Sequence, residues 1–104
     1  MRAKFYAEDK LKKEIIDIVG KYLNLGKYNV FFFGSRVNNR GSERSDIDVG
    51  IEGPRPIPPR IYSDIKDEID KIPILYSIDV VDFKKVSPDF YKVATRNRQL
   101  IINR

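Results

Sequence analysis

The sequence predicts an α/β (α+β) domain, a small mixed sheet with flanking helices in the order α-β-β-α-β-α. Three observations carry that expectation. Apolar residues recur at helical spacing in three separate stretches. Between them lie three short runs rich in β-branched and aromatic residues. Glycine, proline, asparagine and serine mark nearly every junction. Strands interleaved with helices argue for helices layered on one sheet.

The elements follow in order. Residues 8–24 read as an amphipathic helix, because Leu11, Ile15, Ile18, Val19 and Tyr22 recur on one face with charged residues between them. Asn24 to Gly26 is its stop. Tyr28 to Phe33 is a continuous apolar run and is expected to be a buried strand. Asp46 to Glu52 alternates acid and aliphatic residues like a second strand, and the Gly53-Pro54-Arg55-Pro56 stretch is a loop. Only about a dozen residues separate these two strands, so they are expected to be neighbours.

Pro58 and Pro59 suit a helix entrance; Ile61, Ile65, Ile69 and Ile72 mark its face, and Pro73 ends it. Leu75 to Phe83 is a third strand, reached through that helical crossover. Ser87-Pro88-Asp89 opens a last helix, expected to run to about Leu100. Phe90 and Tyr91 on it are candidates for a partner-facing aromatic surface, one of them being expected in the core.

At 104 residues the chain has room for one core, so residues 1–104 are expected to form a single domain. The 41% hydrophobic content is that of a folded protein. The first ten residues carry no apolar signal core, and no run of about 18 apolar residues occurs, which argues for a cytoplasmic protein without a membrane span. There is no cysteine and no histidine. Disulfides, Cys or His zinc sites, thiol nucleophiles and imidazole acid–base catalysis are thereby excluded. Carboxylates, hydroxyls, Lys, Arg and backbone groups remain, with a carboxylate-bound hard metal such as magnesium as their natural cofactor. The net charge of +5 fits a polyanionic partner: a nucleoside triphosphate, RNA or an acidic protein.

The chemistry concentrates between Phe33 and Val49. A strand that runs into Gly34-Ser35 permits a tight turn and close backbone approach. Free N–H groups and the Ser35 hydroxyl would then converge on one anion site, with Arg36 adding a phosphate contact. Asp46 and Asp48 are two apart on a strand, so both project from one face. Adjacent carboxylates repel unless a cation lies between them. Asp79 would join them if the third strand lay beside the second. Taken singly, Gly-Ser reads as an ordinary turn, Asp-x-Asp as a solvated strand face, and Ser45 as turn chemistry. Their conjunction behind an apolar strand is what points to a site.

Gly34-Ser35, then ten residues, then Asp46-Ile47-Asp48, with a later Ile78-Asp79-Val80-Val81-Asp82, resembles the DNA polymerase β-type nucleotidyltransferase superfamily. Within it the chain is most similar to the minimal nucleotidyltransferase (MNT) domains that pair with HEPN-domain toxins in prokaryotic toxin–antitoxin modules. The resemblance implies the polymerase β palm-like fold. It implies that Gly34 and Ser35 hold a triphosphate, with Arg36 and Ser45 assisting. It implies that Asp46 and Asp48 bind two magnesium ions and that Asp79 is the third carboxylate, orienting or deprotonating an acceptor hydroxyl. The donor it implies is ATP. The reaction is in-line AMP transfer to a partner HEPN toxin, on a tyrosine, within a hetero-oligomer that involves neither membrane nor direct nucleic-acid binding.

Where family members carry a further glycine after Gly-Ser, this chain has Asn39, which tolerates a left-handed backbone, with Gly41 as the alternative. Asp79 and Asp82 fall on opposite faces of a strand, so only one can meet Asp46 and Asp48; the family pattern favours Asp79. Two other functions fit the same residues. One is an antitoxin that neutralises its toxin by binding alone, and the other a transferase acting on RNA or a small molecule.

Overall fold

The computed structural model describes residues 8–33, 47–74, 77–96 and 99–101. Its elements are α1 (Glu8–Tyr22), β1 (Asn29–Phe33), β2 (Ile47–Glu52), α2 (Pro59–Asp70), β3 (Ile78–Asp82), α3 (Pro88–Thr95) and β4 (Gln99–Leu100). The strands form one mixed sheet in the order β3-β2-β1-β4. β1 and β2 are antiparallel neighbours, and β3 lies parallel to β2 after the α2 crossover, the arrangement that the strand spacings imply.

Local chemistry explains the element ends. The Asn24 side chain accepts the Gly26 backbone N–H at 2.8 Å just past α1, a turn that replaces the next helical bond. Pro59 occupies the first turn of α2, where a missing N–H costs nothing. Ser87 caps α3 by accepting the Phe90 N–H at 3.1 Å, with Pro88 behind it.

The sheet has two covered faces of different make-up. Val30, Phe32, Ile47, Val49, Ile51, Ile78 and Val80 point to one side. There they bury Leu11, Ile15 and Val19 of α1 together with Ile65 and Ile69 of α2. Phe31, Phe33 and Phe83 point to the other side and meet Val81, Val86, and Tyr91 and Ala94 of α3. The Phe31 and Phe83 rings meet edge to face at 4.8 Å directly over Gly50, where an added Cβ would stand 2.4 Å from Phe31. Glycine there is what lets the aromatic rings sit down on β2.

One expectation needs correction. The last helix ends at Thr95 instead of continuing to about Leu100, and Gln99–Leu100 pair with Phe32 and Phe31 as β4. The Ile101 N–H extends the pairing with a 2.8 Å bond to the Val30 carbonyl. A helix through these positions would leave the outer side of β1 without hydrogen-bond partners, and pairing removes that exposed edge.

The opposite edge, β3, is closed by side chains. In a parallel pair alternate residues turn their backbone groups away from the neighbour. Here the Ile47 N–H bonds the Ser77 carbonyl and the Phe83 N–H bonds the Ile51 carbonyl. That leaves the Ile78 and Val80 carbonyls facing outward. Lys66 donates to the Ile78 carbonyl at 2.7 Å, and the Tyr62 hydroxyl donates to the Val80 carbonyl.

Candidate active site

β2 and β3 bring two acids together. Asp48 is paired with Phe33 across the antiparallel ladder and with Asp79 across the parallel one. Laterally paired residues in neighbouring strands lie about 5 Å apart at Cα and project to the same side. Asp48 and Asp79 therefore stand side by side on the α3 side of the sheet, at the end where β1 finishes. Asp48 is half-buried and Asp79 exposed.

Both acids line an open cavity of about 430 Å³ with Phe33, Tyr62, Lys66, Val80, Val81 and Phe90. One wall carries charge and hydrogen-bonding groups, the other is aromatic. Phe90 is 43% exposed and rests edge-on against Phe33 at 6.0 Å. Its neighbour Tyr91 is half-buried and donates to Glu52 at 2.5 Å. Of that aromatic pair, Tyr91 packs inward and Phe90 remains at the rim of the cavity.

Asp82 is used differently. It pairs laterally with Ile51, faces the aliphatic core and is 7% exposed. Its carboxylate accepts the Ile57 N–H at 2.8 Å and the Lys84 N–H at 2.9 Å. These bonds tie the loop after β2 and the turn after β3 to one buried group, so Asp82 is structural. The alternation that separates Asp79 from Asp82 was readable in the sequence; Asp82's backbone partners were not.

Gly34, Ser35, Arg36, Ser45 and Asp46 lie outside the described residues. So do Asn39 and Gly41. Gly34 follows Phe33 directly in the chain, and Asp46 directly precedes Ile47. Asp48 and Asp79 are the candidate site residues the structure describes and brings together. Their chemistry suits a hard divalent cation: two carboxylates abreast at an open cavity supply oxygen ligands, and a cation between them would offset their repulsion. Among the described residues no group of three or more potential metal ligands forms.

Tyr62 and Lys66 belong to the cavity wall, and sequence reasoning left them out. They lie four apart on α2, immediately beside Ile61 and Ile65 of its apolar face. That border position is the one signal the sequence offers, and by itself it does not tell a side chain that reaches over a sheet edge from an ordinary helix-surface one.

A larger groove of about 630 Å³ runs between α1 and α2, lined by Glu14, Asp17, Lys21, Tyr22, Asp64, Asp67, Glu68 and Lys71 among others. Several of its charges are paired with one another. Lys21 bonds Glu68 at 2.7 Å, and the Tyr22 hydroxyl donates to the same carboxylate. The bonds from Lys21 and Tyr22 hold the Glu68 carboxyl below its ordinary value, while the bond to Glu68 pushes the Tyr22 phenol up to about 12. This groove is an ionic seam between helices, and the smaller cavity holds the acids suited to catalysis.

Comparison with known proteins identifies the family and the fold. The family model for polymerase beta nucleotidyltransferases matches residues 8–104. A probable protein adenylyltransferase, MntA of Haemophilus influenzae, is 27% identical over 90 residues, covering 85% of this chain and 79% of that protein. Among solved structures, a toxin–antitoxin complex with AMP-PNP aligns with a TM-score of 0.72 at 15% identity, covering 89% of this chain and 73% of that one. A tri-AMPylated Shewanella oneidensis HEPN toxin in complex with its MNT antitoxin aligns at 0.68 and 14% identity, covering 90% and 71%. At such identities these structures establish a common fold.

Proposed function

The chain belongs to the polymerase beta nucleotidyltransferase family, and from that premise we propose that it transfers AMP from ATP to a tyrosine hydroxyl of a HEPN-domain toxin and so acts as its antitoxin. The observation that carries the proposal is the lateral pairing of Asp48 with Asp79 on the open side of the sheet. The names of the similar proteins support the choice of partner and of transferred group. Among the described residues no helix is long and apolar enough to cross a membrane. The reaction is placed in the cytoplasm because ATP is its donor.

Gly34 and Ser35, continuing from the end of β1, take the triphosphate with help from Arg36 and Ser45. Asp48 and Asp79, with Asp46, would hold magnesium, two ions in the family pattern, which would neutralise charge on the phosphates and the reacting oxygens. The acceptor hydroxyl approaches on the Asp79 side. Its oxygen forms a bond to the α-phosphorus while the bond from that phosphorus to the bridging oxygen breaks. Pyrophosphate leaves with the electron pair, and the phenol proton passes to the Asp79 carboxylate. Positioning and charge neutralisation supply most of the acceleration, as in other phosphoryl transfers.

The test incubates the chain with its neighbouring HEPN protein, α-labelled ATP and magnesium, beside an Asp48→Asn control and a chelator control. Label on a toxin tyrosine that disappears in both controls is the expected result. Tight binding of the two proteins with no label, and toxin inhibition indifferent to ATP, would replace the enzyme by a binding antitoxin.

A further inference from the structure

We propose that Lys66 is the acceptor-side donor of this site, its ammonium holding the acceptor oxygen beside Asp79 while the bond to phosphorus forms. The inference rests on the transfer reading above and adds to it a residue that lies outside the Gly-Ser and Asp-x-Asp motifs.

Sheet order gives the first argument. Going outward from β1, one meets Asp48 on β2, then Asp79 on β3, then Lys66 beyond the β3 edge. β1 ends at Phe33 beside Asp48, so Lys66 lies across the carboxylate pair from the end of β1. In-line displacement requires the attacking and leaving oxygens on opposite sides of the phosphorus. With the triphosphate proposed at the end of β1, the β3 side is the side left to the acceptor.

The donor count gives the second. An ammonium carries three protons. Lys66 commits one to the Ile78 carbonyl at 2.7 Å and one to Asp70 at 3.2 Å. A third remains, on a side chain 30% exposed that lines the same cavity as Asp48 and Asp79. Ile78 directly precedes Asp79, so the bond to its carbonyl fixes the ammonium at the root of the acid that receives the proton. A cation beside a phenol oxygen favours the anionic form that attacks, and a donor already held in place needs no reorganisation at that moment.

Capping a strand edge would by itself explain the Ile78 bond, and the comparison with Tyr62 separates the two roles. Tyr62 caps the next outward carbonyl, that of Val80, with the only proton its hydroxyl has. Lys66 caps its carbonyl and keeps a proton to donate.

The experiment compares wild type, Lys66→Met, Lys66→Gln, Lys66→Arg and Tyr62→Phe. Each is checked for a cooperative thermal transition, then assayed for AMP transfer to the HEPN protein and for binding of mant-ATP with magnesium. Lys66→Met is expected to lower kcat roughly ten- to a hundredfold, with mant-ATP affinity and the KM for ATP at wild-type values. Lys66→Arg should recover most of the loss, since a guanidinium has donors to spare. Tyr62→Phe should lower Tm, and any fall in its kcat should be much smaller than that of Lys66→Met. Lys66→Gln keeps an N–H for Ile78 without the charge, and it decides the matter should Lys66→Met not fold.

Wild-type kcat in both uncharged variants would overturn the inference, as would an equal kcat loss in Tyr62→Phe. Weakened mant-ATP binding with kcat retained would also overturn it, by placing Lys66 on the donor side. If wild type itself transfers nothing, the transfer reading fails and takes this inference with it. If wild type transfers and the Lys66 variants match it, only the inference fails.

Discussion

The two sides of the sheet are built to opposite ends. Toward α1 and α2, Val30, Phe32, Ile47, Val49 and Ile51 are all 1% exposed or less, and the buried acid on that side, Asp82, has a backbone N–H for each oxygen. Toward α3 the cover is a single helix of eight residues laid over an aromatic cluster. That helix leaves Phe90 at the rim and Val93 62% exposed, and beyond it Asp48 and Asp79 line an open cavity. Like charges abreast repel, and most of the fully buried apolar residues lie on the other side of the sheet. Stability and chemistry have been divided between the two sides of one sheet, and substitutions can test whether the division is real.

The largest expected effect is on the open side. Asp48→Asn should reduce AMP transfer at least about a thousandfold, the order expected when a group that neutralises transition-state charge is lost. Its thermal midpoint should shift far less than that of a core truncation, because the side chain lies at the cavity and not in the core. Scanning calorimetry beside the transfer assay checks both. A fall in Tm that tracks the loss of activity would break the division, since Asp48 would then be holding the fold together.

Ile65→Ala is the mirror experiment on the closed side. The side chain is fully buried between α2 and the sheet, so truncation should cost about 2–5 kcal/mol in denaturant unfolding. Well below the midpoint, kcat and the KM for ATP should match wild type. A change in KM at constant folded fraction would mean that α2 transmits packing to the cavity through Tyr62 and Lys66.

Asp82 sharpens the comparison, because it is an acid on the side that does no chemistry. Asp82→Asn turns one carboxylate oxygen into a donor, which leaves either the Ile57 or the Lys84 N–H unpaired. A loss of about 1–3 kcal/mol is expected, with transfer retained wherever the protein is folded. Loss of transfer in a stable Asp82→Asn protein would move the third-carboxylate role from Asp79 to Asp82.

Much of this contrast is written in local pattern. The apolar run ending at Phe33, the aliphatic stripe of α2 and the Ser87-Pro88 cap each announce an element through its own periodicity or end chemistry. Strand alternation also separates Asp79 from Asp82 without any coordinates. What local pattern does not carry is register and reach. Pairing Asp48 with Asp79 depends on how many residues the α2 crossover consumes, and a slip of one residue would turn Asp79 to the other side of the sheet. β4 has two residues, too few for any period, and exists because β1 has a free edge. Lys66 reads as an ordinary helix-surface lysine until β3 is placed under it.

The smallest expected effect lies away from both sides, in the seam between α1 and α2, and it concerns pH. The hydrogen bond from Lys21, then that from Tyr22, holds the Glu68 carboxyl below its ordinary 4.5. A carboxyl depressed in the folded state adds stability that is present above its unfolded value and is lost as pH falls through the folded one. The Tm difference between wild type and Glu68→Gln should therefore be steady at neutral pH and close progressively below about pH 4.5. It should be small throughout, since the carboxylate reaches water and the pair is screened. The Tyr22 phenol, pushed up to about 12 chiefly by its bond to Glu68, should ionise nearer 10 in the variant, visible as an earlier rise in tyrosinate absorbance. Identical acid limbs and identical tyrosinate titrations in the two proteins would mean that the seam orders side chains without linking α1 to α2 energetically. The pairing of the two helices would then rest on their buried apolar side chains.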